Sequence, residues 1–267
     1  MNLTGVPETM LWTLHNRASE ALRPDAILDD ELAVRMYRAI DYDYRRSFGK
    51  PNFSHGLRSR VFDDAVRPWL ASHPGGIVVE LGAGLETQFH RVDDGRVRWL
   101  CVDLPEAIAV RERFLPPSQR CRHLGISALD ESWIDEVDPA GGVFVSAQGL
   151  FMYFQEAEVR RLITVMAERL TGMRLMFDAI PPWLSAKTMK GWHKTRHYRT
   201  PPMPWGVKRS DISPLLRSWS EHVDLVEQAS FGYRRGPFAP VLPVANRIPM
   251  LADLLPSIVS VRTTEHR

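Results

Sequence analysis

Residues 77–103 read IVVELGAGLETQFHRVDDGRVRWLCVD: an apolar run, a turn at Gly82, Ala83 and Gly84, and a second apolar run that closes on Asp103. Short apolar runs bounded by glycine read as buried strands. A glycine turn between a strand and a helix lets a ligand approach the backbone, with the helix's free N–H groups pointing at it. Asp103 stands nineteen positions after Gly84. That is close to the spacing, roughly 20 residues, at which an acid at the tip of a second strand meets a ribose in nucleotide-binding α/β folds. The stretch predicts a nucleoside site.

The same turn argues against a dinucleotide. A pyrophosphate site carries G-x-G-x-x-G, whereas Leu85, Glu86 and Thr87 follow Gly84 and the third glycine is missing. Glu86 would set a carboxylate beside a phosphate, and Glu80 adds another just before the turn. Two acids suit an ammonium or a sulfonium better. ELGAG at 80–84 followed by VDLP at 102–105 resembles S-adenosylmethionine-dependent methyltransferases, in which the second-strand acid takes the ribose hydroxyls.

Outward from this stretch, the chain of 267 residues, 44% hydrophobic and 25% charged, is long enough for one large domain with an added cap. No apolar stretch approaches a membrane span. The opening MNLTGVPETMLWTLHNR lacks a charged start, an apolar block and a cleavage site, so a cytoplasmic location is expected. A formal net charge of +2 argues against general nucleic-acid binding. Cys101 and Cys121 fall in expected strands as small apolar side chains. His193 and His197 sit at i, i+4 with no third ligand nearby, so no metal is expected.

Up to residue 73 the pattern is helical, with DDELAVRMYRAI opening on acids and HGLRSRVFDDAVRPWL apolar at helical spacing. Between them DYDYRRSFGKPNFS, at 41–54, reads as a loop that could fold over a site. From Ile77, strands near 77–81, 97–102, 121–125, 142–147 and 173–178 alternate with helices, which specifies a mostly parallel sheet covered on both faces. The helix near 155–170 carries Val159, Leu162, Ile163, Met166 and Leu170 as one stripe, and Gly172 is placed to stop it. After Asp178 the rhythm breaks. A long irregular insertion after a strand's carboxyl end reads as a lid or substrate loop. SDISPLLRSWS reads as a capped helix, and VDLVEQA and SIVSVRTT as two last strands. The expected division is a helical, cofactor-covering cap over 1–73 and a Rossmann-like domain over 74–267, with a lid insertion at 181–206.

RSRVFDD (58–64), VVELGAGLETQFHRV (78–92), VDLP, SAQGLFMYF (146–154) and the block from FDAIPPW (177–183) to PPMPWG (201–206) resemble the leucine carboxyl methyltransferase-like family, most closely its bacterial polyketide-type, tetracenomycin-type O-methyltransferase branch. The likeness runs from about residue 55 to residue 207. It implies a class I methyltransferase fold with a seven-stranded, mostly parallel sheet holding S-adenosylmethionine at its carboxyl edge. It also implies that Gly82, Ala83 and Gly84 line the methionine and sugar, that Asp103 binds the ribose, and that an arginine of the RSR segment holds the methionine carboxylate. Arg58 is favoured, Arg60 the alternative. Two positions depart from the family. Gln148 replaces an acid after the fourth strand, and Ser127, Ala128 and Leu129 stand where relatives carry Asp-Leu for the adenine amine. Adenine is then held by Ser127 or backbone groups with stacking on Leu129 or Leu104, unless Ser127 only caps the turn before a helix at 130–137.

Methyl transfer from a sulfonium needs alignment more than side-chain nucleophiles. A carboxylate acceptor is ionised at neutral pH and needs no base, whereas a phenol gains from one. Lys187, Lys190, His193, Lys194, Arg196, His197 and Arg199 interleave with Trp183, Trp192, Tyr198 and Trp205, a composition suited to a flat, acidic, aromatic acceptor. The expected reaction is therefore O-methylation of a small aromatic or polyketide-like molecule at a carboxylate or phenolic hydroxyl. His193, His197 and Tyr198 are the acceptor-side candidates, and Tyr153 either packs on the cofactor or steers the acceptor, or lies in the core. A cofactor-binding protein without turnover and a nicotinamide oxidoreductase are the competing readings.

Overall fold

The computed structural model describes residues 5–230, 235 and 242–264. The first four residues of the opening segment read for a targeting signal lie outside them. Nine strands are described: β1 (Ile77–Leu81), β2 (Arg98–Asp103), β3 (Cys121–Gly125), β4 (Val143–Ala147), β5 (Arg174–Ala179), β6 (His193–Thr195), β7 (Tyr198–Arg199), β8 (Val223–Ser230) and β9 (Ser257–Thr263). Seven make one sheet in the order β3-β2-β1-β4-β5-β9-β8, and β6 with β7 forms a separate hairpin. β1 to β5 pair in parallel, while β9 runs antiparallel between β5 and β8. The strands near 77, 97, 121, 142 and 173 thus stand within about a residue of their expected starts.

The chain leaves β1 through β2 and β3 on one side and returns to β4 and β5 on the other. The order reverses between β1 and β4, and a crevice opens outside their carboxyl ends, where open α/β sheets place ligands. Both strands are buried along their whole length, as expected for parallel strands covered on two faces.

The covering helices are α1 (Thr9–Ala21), α2 (Glu31–Ala39), α3 (Tyr44–Phe48), α4 (Ser54–Ser72), α5 (Gln88–Val92), α6 (Pro105–Glu112), α7 (Glu156–Arg169), α8 (Pro182–Met189) and α9 (Arg209–Trp219). α7 and α9 bury Val159, Leu162, Ile163, Met166, Ile212 and Leu216 in one cluster with the sheet. α4 and α5 bury Leu57, Phe62, Val66 and Phe89 in another. α7 ends with Leu170 as its cap and Gly172 two residues beyond at φ +71°. A third cluster joins Leu11 and Leu14 of α1, Val34 and Met36 of α2, and Leu85 beside the glycine turn. The first two helices therefore sit over the sheet's carboxyl edge.

Three expectations are corrected. The loop at 41–54 contains α3, whose first turn is held by Asp43 Oδ1 accepting the Arg46 N–H at 3.0 Å. The irregular insertion contains α8 and the β6–β7 hairpin. Pro182 occupies the first turn of α8, where a missing N–H costs nothing, so a helix starts inside the stretch read as irregular. The helix at 130–137 is a 3-10 segment, Glu131–Glu136, with Asp130 accepting the Ser132 N–H.

Candidate active site

The turn after β1 follows from its glycines. Gly82 and Gly84 take φ of +66° and +45°, the left-handed region in which a side chain is strained. Gly82 N–H donates to Val102 O at 2.8 Å, which ties the turn to β2. Asp103, the last residue of β2, accepts the Gly84 N–H on Oδ2 and the Leu104 N–H on Oδ1, each at 2.7 Å. Burial raises the Asp103 pKa, and the two backbone N–H groups oppose that rise.

These residues line a narrow first cavity of about 80 Å³ together with Arg17, Arg58, Glu80, Leu104, Gln148 and Tyr153. It is smaller than a nucleoside. Leu150 and Met10 narrow it: a Cβ on Gly82 would lie 2.9 Å from Leu150 Cδ1, and one on Gly84 would lie 3.2 Å from Met10 Cβ.

Glu80, next to last in β1, is almost fully buried. Its Oε2 accepts from Trp99 Nε1 at 3.2 Å and from Cys101 Sγ at 3.7 Å, while Oε1 is buried without a partner. Burial pushes its pKa up to about 7 against the pull of Arg111. A buried carboxylate oxygen with no donor is costly unless a ligand supplies one. Here that calls for an N–H donor or a cation.

Glu86 differs from the expectation. Its Oε2 accepts from Arg17 Nη1 and Ser59 Oγ, each at 2.9 Å, and its Oε1 from Arg91 Nη1 at 2.7 Å and Thr87 N at 2.9 Å. Four donors fill the acceptor sites of a carboxylate. Against the burial penalty, Arg17 and Arg91 hold its pKa well below the ordinary range. Glu86 is a structural anion and is not free for a ligand. Arg17 also reaches Asp30 and Leu85 O, and Arg91 clasps Asp63 with Nε and Nη2, so one buried network fastens α1, α4 and α5 to the glycine turn.

Arg58 lies on the buried face of α4, and its Nη1 donates to Asp178 Oδ2 at 3.1 Å. Asp178, in β5, also accepts the Gly149 N–H on Oδ1. A Cβ on Gly149 would stand 2.6 Å from Arg58 Nη1, so glycine is required there. Arg58 Nε is buried and unpartnered. Arg60 lies on the solvent face, paired with Asp64. Gln148 Nε2 donates to Gln88 Oε1 at 3.4 Å, and its own Oε1 is buried without a partner.

A second, mostly apolar cavity of about 230 Å³ adjoins the first. Trp12, His55, Met152, Ile180, Leu184, Trp192 and Met203 line it, with Thr9, Thr13, Arg58, Gly149 and Tyr153 common to both. Burial raises the pKa of the Tyr153 hydroxyl to about 12.

Several expected residues lie elsewhere. Ser127, Ala128 and Leu129 do not line the first cavity. Ser127 Oγ accepts the Leu129 N–H at 3.2 Å and Ala128 O accepts from Trp133 Nε1 at 3.1 Å, so local turn bonding occupies both. His193, His197 and Tyr198 line neither cavity. His193 and His197 are exposed, the latter with Nε2 at 2.8 Å from Arg196 Nε. Tyr198 is buried against Phe48 and Trp12. His193 lies in β6, His197 in the turn of the hairpin and Tyr198 in β7. Cys101, Cys121 and His123, far apart in metal-motif terms, converge with their ligand atoms within 4.8 Å of one another. Arg111 Nε donates to His123 Nε2 at 3.3 Å.

Arg17, Asp178, His55 and Trp192 carry no sequence motif of their own. Asp178 and Trp192 lay inside the quoted block from FDAIPPW to PPMPWG, whereas Arg17 and His55 lay outside every quoted block.

Sheet order, glycine turn and second-strand acid together define a class I S-adenosylmethionine-dependent methyltransferase. Residues 10–167 match the leucine carboxyl methyltransferase family, and the chain belongs to it. It is 35% identical over 186 residues to the tetracenomycin polyketide synthesis O-methyltransferase of Streptomyces glaucescens, covering 68% of this chain and 69% of that one. To a putative S-adenosyl-L-methionine-dependent methyltransferase of Parafrankia sp. it is 33% identical, over 60% of this chain and 58% of the relative. The N-methyltransferase NodS of Bradyrhizobium japonicum, solved with S-adenosyl-L-homocysteine, shares the fold at a TM-score of 0.50 and 13% identity, over 95% of this chain and 99% of that one. Among the described residues, no helix is long and apolar enough to cross a membrane.

Proposed function

We propose that the chain methylates an oxygen of a small acidic, aromatic molecule bound in the second cavity. The observation that carries this reading is the wall of Thr9, Thr13, Arg58, Gly149 and Tyr153 common to both cavities. A nucleoside on one side and an acceptor on the other meet there.

The donor set of the first cavity fits S-adenosylmethionine. Asp103 takes the ribose hydroxyls beside Gly82, Ala83 and Gly84. Glu80 Oε1, otherwise unpaired, receives the ammonium. Arg58, with Nε free and Nη1 steadied by Asp178, receives the methionine carboxylate. Leu104 lies on the adenine side, with Ser127, Ala128 and Leu129 beyond it, and Gln148 and Tyr153 close the methyl end. Leu150 moves aside on entry. When bound, the cofactor supplies a methyl group already activated on sulfonium. The chain's part is to align it with the acceptor oxygen and to exclude water, a positioning effect that can be worth about 7–11 kcal/mol.

The apolar second cavity supports a flat aromatic body, and Lys187 and Lys194 support an acid. Lys187 Nζ lies 4.3 Å from the Trp192 ring centroid and Lys194 Nζ 5.1 Å from that of Trp12. In this reading the described residues of the 1–73 segment act as the cap over both cavities. The two cysteines, unbonded with sulfurs 4.0 Å apart, suit a reducing, cytoplasmic compartment.

The test is release of S-adenosylhomocysteine from S-adenosylmethionine over a panel of aromatic acids and phenols. Turnover with at least one acid is expected. Cofactor binding with no turnover across the panel would favour a binding protein instead.

A further inference from the structure

His55, the second residue of α4, lines the second cavity edge-on to Trp12 with ring centroids 5.6 Å apart. Its Nδ1 lies 2.9 Å from Asn16 Nδ2. Two backbone amides fix which end of each neighbouring amide points where. Asn16 Oδ1 accepts the Asn52 N–H at 3.1 Å, and Asn52 Oδ1 accepts the Ser54 N–H at 3.0 Å. A backbone N–H can only donate, so both oxygens are assigned by bonding. Asn16 therefore turns its NH₂ group to His55, and it also reaches Asn52 Oδ1 at 3.4 Å.

An N–H aimed at Nδ1 requires a lone pair on Nδ1. The ring proton then resides on Nε2. Protonating the ring would set Nδ1–H against the Asn16 N–H. Burial, followed by the positive charges of Arg58, Arg17 and Lys194, holds the His55 pKa well below its ordinary value, with Glu86 opposing. Among the described residues no partner engages Nε2, and it is not a sealed, unsatisfied atom. It is left to the cavity that His55 lines.

We propose that His55 is a specificity-determining residue whose fixed Nε2–H donates to the anionic oxygen of the acceptor, selecting a carboxylate over a neutral phenol. The proposal rests on reading the second cavity as the acceptor site. A donor held in this tautomer cannot take a proton from a phenol at Nε2, so it offers nothing to an acceptor that needs a base. A carboxylate on a flat apolar body arrives already ionised at neutral pH and leaves no proton to remove.

The test uses the full-length protein with S-adenosylhomocysteine bound. Nitrogen NMR of ¹⁵N-histidine-labelled protein is expected to show His55 neutral and protonated at Nε2 throughout about pH 5.5 to 8. An Nδ1–H tautomer, or a titration near the ordinary value for histidine, would overturn the proposal without any variant. Calorimetry with 2-naphthoate as probe is expected to show binding that His55→Phe weakens at least tenfold while affinity for S-adenosylhomocysteine is unchanged. Asn16→Asp offers Nδ1 an acceptor and reverses the tautomer, so the same loss is expected there. The uncharged probe 2-naphthalenemethanol should not distinguish His55→Phe from wild type. Equal naphthoate affinity in His55→Phe, or no naphthoate binding by wild-type protein that binds S-adenosylhomocysteine, overturns the role of His55. Wild-type protein that fails to bind S-adenosylhomocysteine overturns the underlying reading of the first cavity, and this proposal with it.

Discussion

Arg58, on the wall between the two cavities, and Asp178, 120 positions away in the chain, form a buried ion pair with Nη1 and Oδ2 3.1 Å apart. The carboxylate also holds the Gly149 N–H. One acid thus sets both an arginine of α4 and the loop after β4, and the arginine keeps donors in reserve.

Asp178→Asn removes the countercharge and keeps an acceptor for Gly149. Breaking one side of a buried pair leaves an uncompensated charge and costs about 3–5 kcal/mol. Urea denaturation of the ligand-free protein is expected to show a loss of that order. A loss below about 1 kcal/mol would mean that water screens Arg58 and that the pair does little to organise the wall.

Asp103→Ala removes the acceptor clasped to the glycine turn. A hydrogen bond to a charged group is worth about 1.5–3 kcal/mol, so affinity for S-adenosylhomocysteine should fall more than tenfold. Asp103→Asn, which keeps an oxygen, should fall less. Unchanged affinity in the alanine variant would place the ribose elsewhere.

Glu80 gives a pH dependence whose sign is fixed. Its folded pKa, about 7, lies above the ordinary 4.5, so the folded protein keeps a proton that the unfolded chain has released. Stability from this group is fully present at low pH, falls as pH rises from about 4.5 to 7, and is level above. Glu80→Gln should therefore flatten the stability profile and, at pH 8 without ligand, exceed wild type by up to roughly 3 kcal/mol. An ammonium at Oε1 favours the ionised form, so binding of S-adenosylhomocysteine near pH 6.5 should release about three-quarters of a proton. Calorimetry in buffers of different ionisation enthalpy reads that release, and Glu80→Gln should abolish it. A pH-independent, proton-neutral binding reaction would remove Glu80 from the ligand.

Glu86→Gln leaves Arg17 and Arg91 short of one anion in a buried cluster. The expected cost is about 3–5 kcal/mol, with proteolysis in α1 rising first, because Arg17 is that helix's link to the turn. A neutral substitution would show that Asp30 and Asp63 suffice.

The glycine turn and its acid were legible because their parts are close in sequence. Gly82, Gly84 and Asp103 fall within one strand–turn–strand unit, and the hydrogen bond between Gly84 and Asp103 joins residues whose spacing had already paired them. The α7 stripe was legible for the same local reason. Long-range bonding hid the rest. Glu86 looked like a charge available to a ligand until Arg17, 69 positions away, proved to hold it. His55 meets Asn16 across 39 positions, a tautomer-setting contact that no spacing rule encodes. His193, His197 and Tyr198 were chosen from a basic, aromatic composition, and composition does not say which side chains of a short hairpin turn inward.

Thr9, Thr13, Arg58, Gly149 and Tyr153 face both cavities, yet Leu184, Trp192 and Met203 border only the second and all arrive from the connection after β5. Under the proposed function, rewriting that connection would retune which molecule is methylated and leave the lining of the first cavity untouched. A lineage can diversify its products by editing about twenty consecutive residues.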